Sequence, residues 1–280
     1  MRHTQRSQFS QHSPRSAPKR SRTAVQTPFM LAHLSAAILI GLGLLPTHAA
    51  LAQAPSAVLP TGMAVAAGAA SSSITSPGAM NITTGADRTV LNWGSFSIGA
   101  GNSVSIQQPQ ASSQVLNRVL GQDPSAIFGS LQSNGGVWLL NPNGVLFGQG
   151  ARIDVGGLVA STLHMDTQDF LAGRYSLRAD PAAPAGASVV NQGAIRTSFG
   201  GKVYLVGADV NNNGQIDAPG GQAALLAARE VDLVDSGTPY LTLRVPAGQV
   251  TQSGRIDAQN IDIHGSVVNQ QGLLNATALT

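Results

Sequence analysis

The sequence predicts an all-β fold, a parallel β-helix, on three observations. Short apolar–polar alternations replace long helical periods, a motif returns at a spacing near 20 residues, and the composition is rich in glycine and poor in charge. The alternations are Ser103-Val104-Ser105-Ile106, Val203-Tyr204-Leu205-Val206, Tyr240-Leu241-Thr242-Leu243-Arg244-Val245 and Ile261-Asp262-Ile263. Each is bounded by Gly, Asn, Pro or Ser, the mark of short strands joined by tight turns. Charged residues make up 10% of the chain and aromatics 4%, with 32 glycines, yet 42% is hydrophobic. That apolar content is too high for a disordered chain.

The first 52 residues stand apart. Six of the sixteen basic residues fall there (Arg2, Arg6, Arg15, Lys19, Arg20, Arg22), and no acidic ones. The remaining ten bases face thirteen acids, so the basic balance belongs to this segment and does not imply a nucleic-acid partner. An apolar run follows from Phe29 to Leu45, closed by Pro46, and Ala50-Leu51-Ala52 supplies small residues at the positions a signal peptidase requires. Residues 1–52 therefore read as an extended export signal cut after Ala52, with Ala49 and Ala54 as competing sites. Gly41, Gly43 and Pro46 weaken the run as a membrane anchor, which needs about 20 apolar residues. The chain has no cysteine, so an exported form relies on packing and hydrogen bonds.

The repeat organises the rest, residues 53–280. Val190-Asn191-Gln192-Gly193-Ala194-Ile195 is echoed at Val210–Ala218, Val250–Ala258 and Val268–Leu274, with glycines at 193, 214, 254 and 272. The middle interval reads as two periods. A unit near 20 residues without a helix points to stacked β-coils. Inward columns would take Val, Ile and Leu, Asn would stack its amides, and the repeated glycines would supply positive φ. Gln222–Glu230 (QAALLAARE) has helix-forming composition, but its place in the repeat makes it a strand. The C-terminus stops inside a repeat without an evident cap, which reads as a partial chain.

Residues 113–162, SQVLNRVLGQDPSAIFGSLQSNGGVWLLNPNGVLFGQGARIDVGGLVAST, carry a family resemblance. Leu116-Asn117-Arg118-Val119, Leu131–Gly135, Asn141-Pro142-Asn143-Gly144 and Gly157–Thr162, with Leu91–Gly99 upstream and Gly201–Leu205 downstream, resemble the two-partner secretion domain of the filamentous haemagglutinin and high-molecular-weight adhesin family. A second Asn-Pro-Asn motif ending in Leu is absent, which favours the adhesin branch. The resemblance runs from about Leu59 to the C-terminus. It implies a right-handed parallel β-helix with an N-terminal β cap over residues 59–90, the haemagglutination activity domain of a secreted surface adhesin. It also implies a partner, an outer-membrane β-barrel transporter with periplasmic recognition domains. Host cells or glycans would be met by regions beyond this domain, and no cofactor is implied.

Asn141-Pro142-Asn143-Gly144 fits a type I turn, with Pro at the second position, Gly at the fourth and the Asn141 side chain available to the backbone. It is expected to set the register of its flanking strands and, with Asn117 and Arg118, to serve transporter recognition.

Catalysis is not expected. A β-helical carbohydrate enzyme needs clustered carboxylates, but Asp154, Asp217 and Asp257 follow a buried Ile and point to solvent by alternation. Glu230 is the only glutamate, and His164 and His264 have no ligand spacing. Asp209–Gly214 matches half a calcium loop, but Gly220 stands where the closing Glu belongs, so no metal site is expected. A self-standing adhesin is the remaining alternative.

Overall fold

The computed structural model describes residues 58–181, 183–233 and 241–277, so the leader and its cleavage residues Ala50 and Ala52 lie outside the described residues. The chain enters through β1 (Ala64–Ala67) and β2 (Ala70–Ser76). A first coil follows, β3 (Ala79–Thr84) and β4 (Arg88–Trp93), then a second, β5 (Ser103–Gln107), β6 (Gln114–Val119) and β7 (Ser125–Ile127). The third holds β8 (Ser130–Ser133), β9 (Gly136–Leu140) and β10 (Val145–Phe147). In the fourth, β11 (Arg152–Val155) and β12 (Gly157–Ser161) precede an excursion with helix α1 (Thr167–Leu171) and β13 (Tyr175–Arg178), before β14 (Ser188–Asn191) rejoins the stack. β15 (Ala194–Thr197), β16 (Lys202–Gly207) and β17 (Asp209–Asn212) form the fifth. The long β18 (Gln215–Leu233) turns a corner, leaves the stack and returns antiparallel as β19 (Leu241–Pro246), and β20 (Gln249–Gln252) closes the sixth coil. Last come β21 (Arg255–His264), β22 (Val267–Gln270) and β23 (Leu273–Ala276).

Equivalent strands pair in parallel from coil to coil, giving three faces. Ile153↔Ile195↔Ile216↔Ile256 runs up the first, Leu116↔Trp138↔Val159↔Tyr204 up the second, and Val145↔Val189↔Val210↔Val250 up the third. This is the β-helix. Only β1 and β2 pair antiparallel at the N-terminal end, with β4 and β3. The cap is thus narrower than expected: residues 79–93 already form the first coil, because their apolar alternation continues the columns above. Leu59, Met63 and Ala70 from the cap pack onto the core inside the coils.

Two readings of the repeat need correction. The 40-residue interval is one coil, not two, since Asn212 is paired directly with Gln252. The hairpin of β18 and β19 supplies the extra length, as an insertion leaves the stacked register intact. Nor do the repeated glycines adopt positive φ. A Cβ at Gly214, Gly254 or Gly272 would lie 2.3, 2.0 and 2.1 Å from the carbonyl oxygen of the glycine one coil below. Close stacking of the corners, not backbone handedness, excludes a side chain there. The expected amide stack is present: Asn191 Nδ2 donates to Asn212 Oδ1 at 2.8 Å, and Asn212 Nδ2 donates to Gln252 Oε1 at 2.7 Å, all three side chains fully buried. Enclosed amides need such partners, and the ladder provides them.

The second face is buried on both sides. Inward residues such as Leu139, Leu205 and Leu225 fill the coils. Outward residues such as Trp138, Val159, Tyr204 and Leu226 lie under a second cluster from the excursion and hairpin, with Phe170, Tyr175, Leu177 and Val231. Double burial removes the need for alternation. It explains why Ala223–Ala228 reads as a continuous apolar run and yet is a strand, as expected.

Asp154, Asp217 and Asp257 share one outward column, interrupted by Arg196. Arg196 pairs with Asp217 at 3.5 Å, and Arg255 hydrogen-bonds Asp257. All three lie outward on a strand face, as alternation predicts, and Asp217 and Asp257 stand in ion pairs there. The Arg255 bond outweighs partial desolvation and, with Asn275, holds the Asp257 carboxyl below its ordinary value. Stability from this lowered value is present above the ordinary carboxylate range and is lost as pH falls below that range and through the lowered value. An Asp257→Asn chain is expected to show a slightly smaller drop in Tm than wild type between about pH 7 and about pH 3, and 1 M salt should narrow that gap.

Candidate transporter-recognition site

The turn between β9 and β10 is closed by its own atoms. Gly144 N–H donates to Asn141 O at 3.1 Å, and Asn143 N–H donates to Asn141 Oδ1 at 2.9 Å. Both bonds are those a type I turn with an Asn at its first position makes. Gly144 has φ of 120°, a conformation that disfavours any side chain.

The turn is also pinned to the coil below. Asn141 is fully buried, and its Nδ2 donates to Asp123 O and Ser125 Oγ, both at 3.0 Å. Asn143 Nδ2 donates to Gly121 O at 2.8 Å. Ser125 N–H donates to Gly144 O at 3.0 Å, and Asn141 N–H donates to Ser161 O at 2.9 Å in the next coil. One tetrapeptide thereby fixes three successive coils.

Asn117 and Arg118 are adjacent on β6 and so face opposite ways. Asn117 points inward and is fully buried; its Oδ1 accepts from Trp93 Nε1 at 3.0 Å and its Nδ2 donates to Trp138 O at 3.2 Å. Arg118 points outward beneath the excursion. Its guanidinium donates to Met165 O at 2.8 Å and to Thr167 Oγ1 at 3.2 Å, while its buried Nε has no partner. Burial pushes the Arg118 pKa down and Asp166 opposes that. An arginine remains charged regardless.

The two motifs meet at a cleft of about 450 Å³ whose walls include Arg118, Leu120, Leu140, Pro142, Asn143 and Leu163. Leu120 stands 60% exposed on its rim. Arg118, Pro142 and Asn143 reach this cleft, whereas Asn117, Asn141 and Gly144 are enclosed structural groups. Asp123, Ser125, Met165 and Thr167 complete the set, and the motifs themselves do not point to them. The last two lie 47 and 49 residues from Arg118, and nothing in the local pattern announces them.

Asp209–Asn212 is a strand rather than a loop, and no cluster of three metal-ligating side chains occurs among the described residues. His164 and His264 are exposed on different coils.

Comparison with known proteins bears on this geometry. The TPS secretion domain family matches residues 57–279. A heme/hemopexin-binding protein of Haemophilus influenzae (strain ATCC 51907 / DSM 11121 / KW20 / Rd) is 34% identical over 191 residues, which cover 59% of this chain and 21% of that protein. Another heme/hemopexin-binding protein of Haemophilus influenzae is 44% identical over 87 residues, covering 31% of this chain and 9% of its own length. The chain thus spans about a fifth or less of these relatives. The crystal structure of the HMW1 secretion domain from Haemophilus influenzae aligns with a TM-score of 0.62 at 29% identity, covering 73% of this chain and 57% of that one.

Proposed function

The chain belongs to the TPS secretion domain family, and on that premise we propose that its cognate transporter reads the stretch from Gln114 to Gly144 before that stretch folds. A TPS secretion domain implies an outer-membrane transporter as partner, and its protein is a secreted exoprotein. The family is not one of enzymes.

The leader, residues 1–52, takes the chain across the inner membrane and is removed after Ala52. In the periplasm the extended chain offers Leu116–Val119 and Asn141–Gly144 to the transporter's periplasmic domains, adding to a sheet edge as an extra strand. Outside the cell the coils close from the cap upward, and the exoprotein stays at the surface or is released. One observation carries this reading: two motifs separated in sequence converge on one cleft, yet Asn117, Asn141 and Gly144 become inaccessible once the coils close. Folding therefore withdraws Asn117, Asn141 and Gly144 and loosens the transporter's hold. Each added coil also makes retreat unfavourable, because stability in a solenoid is nearly a sum over neighbours. Haem or haem carriers, in the relatives' names, and host surfaces would be met by cargo beyond this domain.

Secretion from a two-membrane bacterium tests the reading. A folded, protease-resistant fragment is expected in the medium only when the transporter is co-expressed. Asn143→Ala and Gly144→Ala chains are expected to be secreted several-fold less. Export of both at the wild-type level would remove the turn from recognition, and folded protein retained in the periplasm with or without the transporter would refute the reading as a whole.

A further inference from the structure

On the outward side of the second face, one column reads Asn92, Arg118, Leu140, Ser161, Val206, Leu226. Arg118 is the only charged residue of these six, and the four above it are all buried. Its guanidinium is held by neutral oxygens alone. Nη2 donates to Met165 O at 2.8 Å, and Nη1 and Nη2 both donate to Thr167 Oγ1 at 3.2 Å. Asp166 favours the charge through space, but its carboxylate caps the helix by accepting from Gln168 N–H at 2.7 Å. Arg118 Nε is buried without a partner, and one rung below so is Asn92 Oδ1.

The folded protein therefore accounts for a donor at position 118 but not for a permanent charge. A guanidinium fork is matched by a carboxylate, which takes two parallel charge-assisted bonds. Half-buried among neutral acceptors, the same fork loses hydration and gains little in return. Chain order adds a second clue. Arg118 precedes Met165 and Thr167 by 47 and 49 residues, so with coils closing from the cap upward it is presented before its final acceptors arrive. Their arrival is driven by apolar burial, since Met165 and Phe170 are fully enclosed and the Phe170 ring packs edge-on to Trp138 at 5.8 Å.

We infer that Arg118 changes partners during export. In the extended chain a carboxylate on the transporter's periplasmic domains grips its fork. When the excursion closes, Met165 O and Thr167 Oγ1 take the guanidinium over, so that covering the second face and releasing the transporter become one step. Arg118 is thus a positioning residue with two successive sets of partners. The inference rests on the recognition reading above and adds to it the chemistry of the partner group and the event that ends the contact.

The test compares Arg118→Gln with Thr167→Val in cells that co-express an affinity-tagged transporter, measuring the chain that co-purifies with it from the outer membrane. Both substitutions remove the bonds between Arg118 and Thr167, and both are expected to lower the Tm of the refolded chain by a few degrees. A structural brace would therefore move transporter-bound chain in one direction. The exchange moves it in two. Arg118→Gln removes the charge the transporter grips and is expected to lower bound chain by at least about tenfold. Thr167→Val weakens the rival and is expected to raise it about threefold. Equal direction in both variants, or no change in either, overturns the inference. Asn143→Ala run alongside separates the two readings: reduced export there without divergence of the other two removes the exchange and leaves recognition standing.

Discussion

An Asn141→Ala chain is expected to be less stable than wild type by about 3 kcal/mol, read as a lower urea midpoint with an unchanged m-value. The truncation removes the acceptor for Asn143 N–H and the donors to Asp123 O and Ser125 Oγ. Those groups sit at the contact of three coils, where water has poor access, and each orphaned group costs about 1–3 kcal/mol. A domain with about 5–15 kcal/mol of total stability would feel this at once. Asn143→Ala should cost less, because Asn143 is only partly buried and the Gly121 carbonyl it leaves faces the cleft. The ordering separates the turn's two roles. If Asn141→Ala loses stability and secretion together while Asn143→Ala loses mainly secretion, Asn141 builds the turn and Asn143 presents it. An Asn141→Ala midpoint equal to wild type would show that the coils do not depend on this turn.

Leu226→Lys is expected to abolish folding, as Leu225→Lys would. The two neighbours point to opposite sides of the second face, and both are completely buried. In an uncovered β-helix the outward position would face water and accept a lysine. Here it packs into the cluster formed with Phe170, Tyr175 and Val231. Burying an unpaired ammonium there costs several kcal/mol, beyond the roughly 1.5–3 kcal/mol of lost leucine burial. Together these approach the whole stability of a typical domain. On the uncovered first face, Asp217→Lys should fold with Tm within a few degrees of wild type. Circular dichroism and proteolysis of the three variants decide the matter, and a folded Leu226→Lys protein would mean that the excursion and hairpin are dispensable for the coils.

Much of this architecture is legible in the sequence. The period near 20 gave coils, because identical environments one rung apart select identical residues. Val210, Val250, Ile216 and Ile256 recur for that reason. The outward place of Asp154, Asp217 and Asp257 followed from strand alternation alone. The turn at Asn141–Gly144 follows from its own residue types, since they act on their own backbone. The family resemblance supplied the partner class, which no local pattern could.

Other features were beyond reach. The 40-residue interval looked like two coils because a hairpin that leaves and rejoins the stack preserves the repeat on either side. The glycines at 214, 254 and 272 read as positive φ in the sequence, whereas a carbonyl one coil below excludes their side chains, a contact between residues 18 to 40 positions apart. The outer cluster was invisible for a related reason: a strand buried on both faces loses the alternation that would reveal it, so QAALLAARE resembled a helix. Arg118 could be named from its motif, but not its partners Met165 and Thr167 on the excursion. The sequence by itself determined the coil, its period, its local turns and its family, because these depend on neighbours along the chain or one rung away. Tertiary structure alone decided what covers the second face, where the insertions leave the stack and which residues of the two motifs end up buried, because those contacts join segments whose separation follows no period.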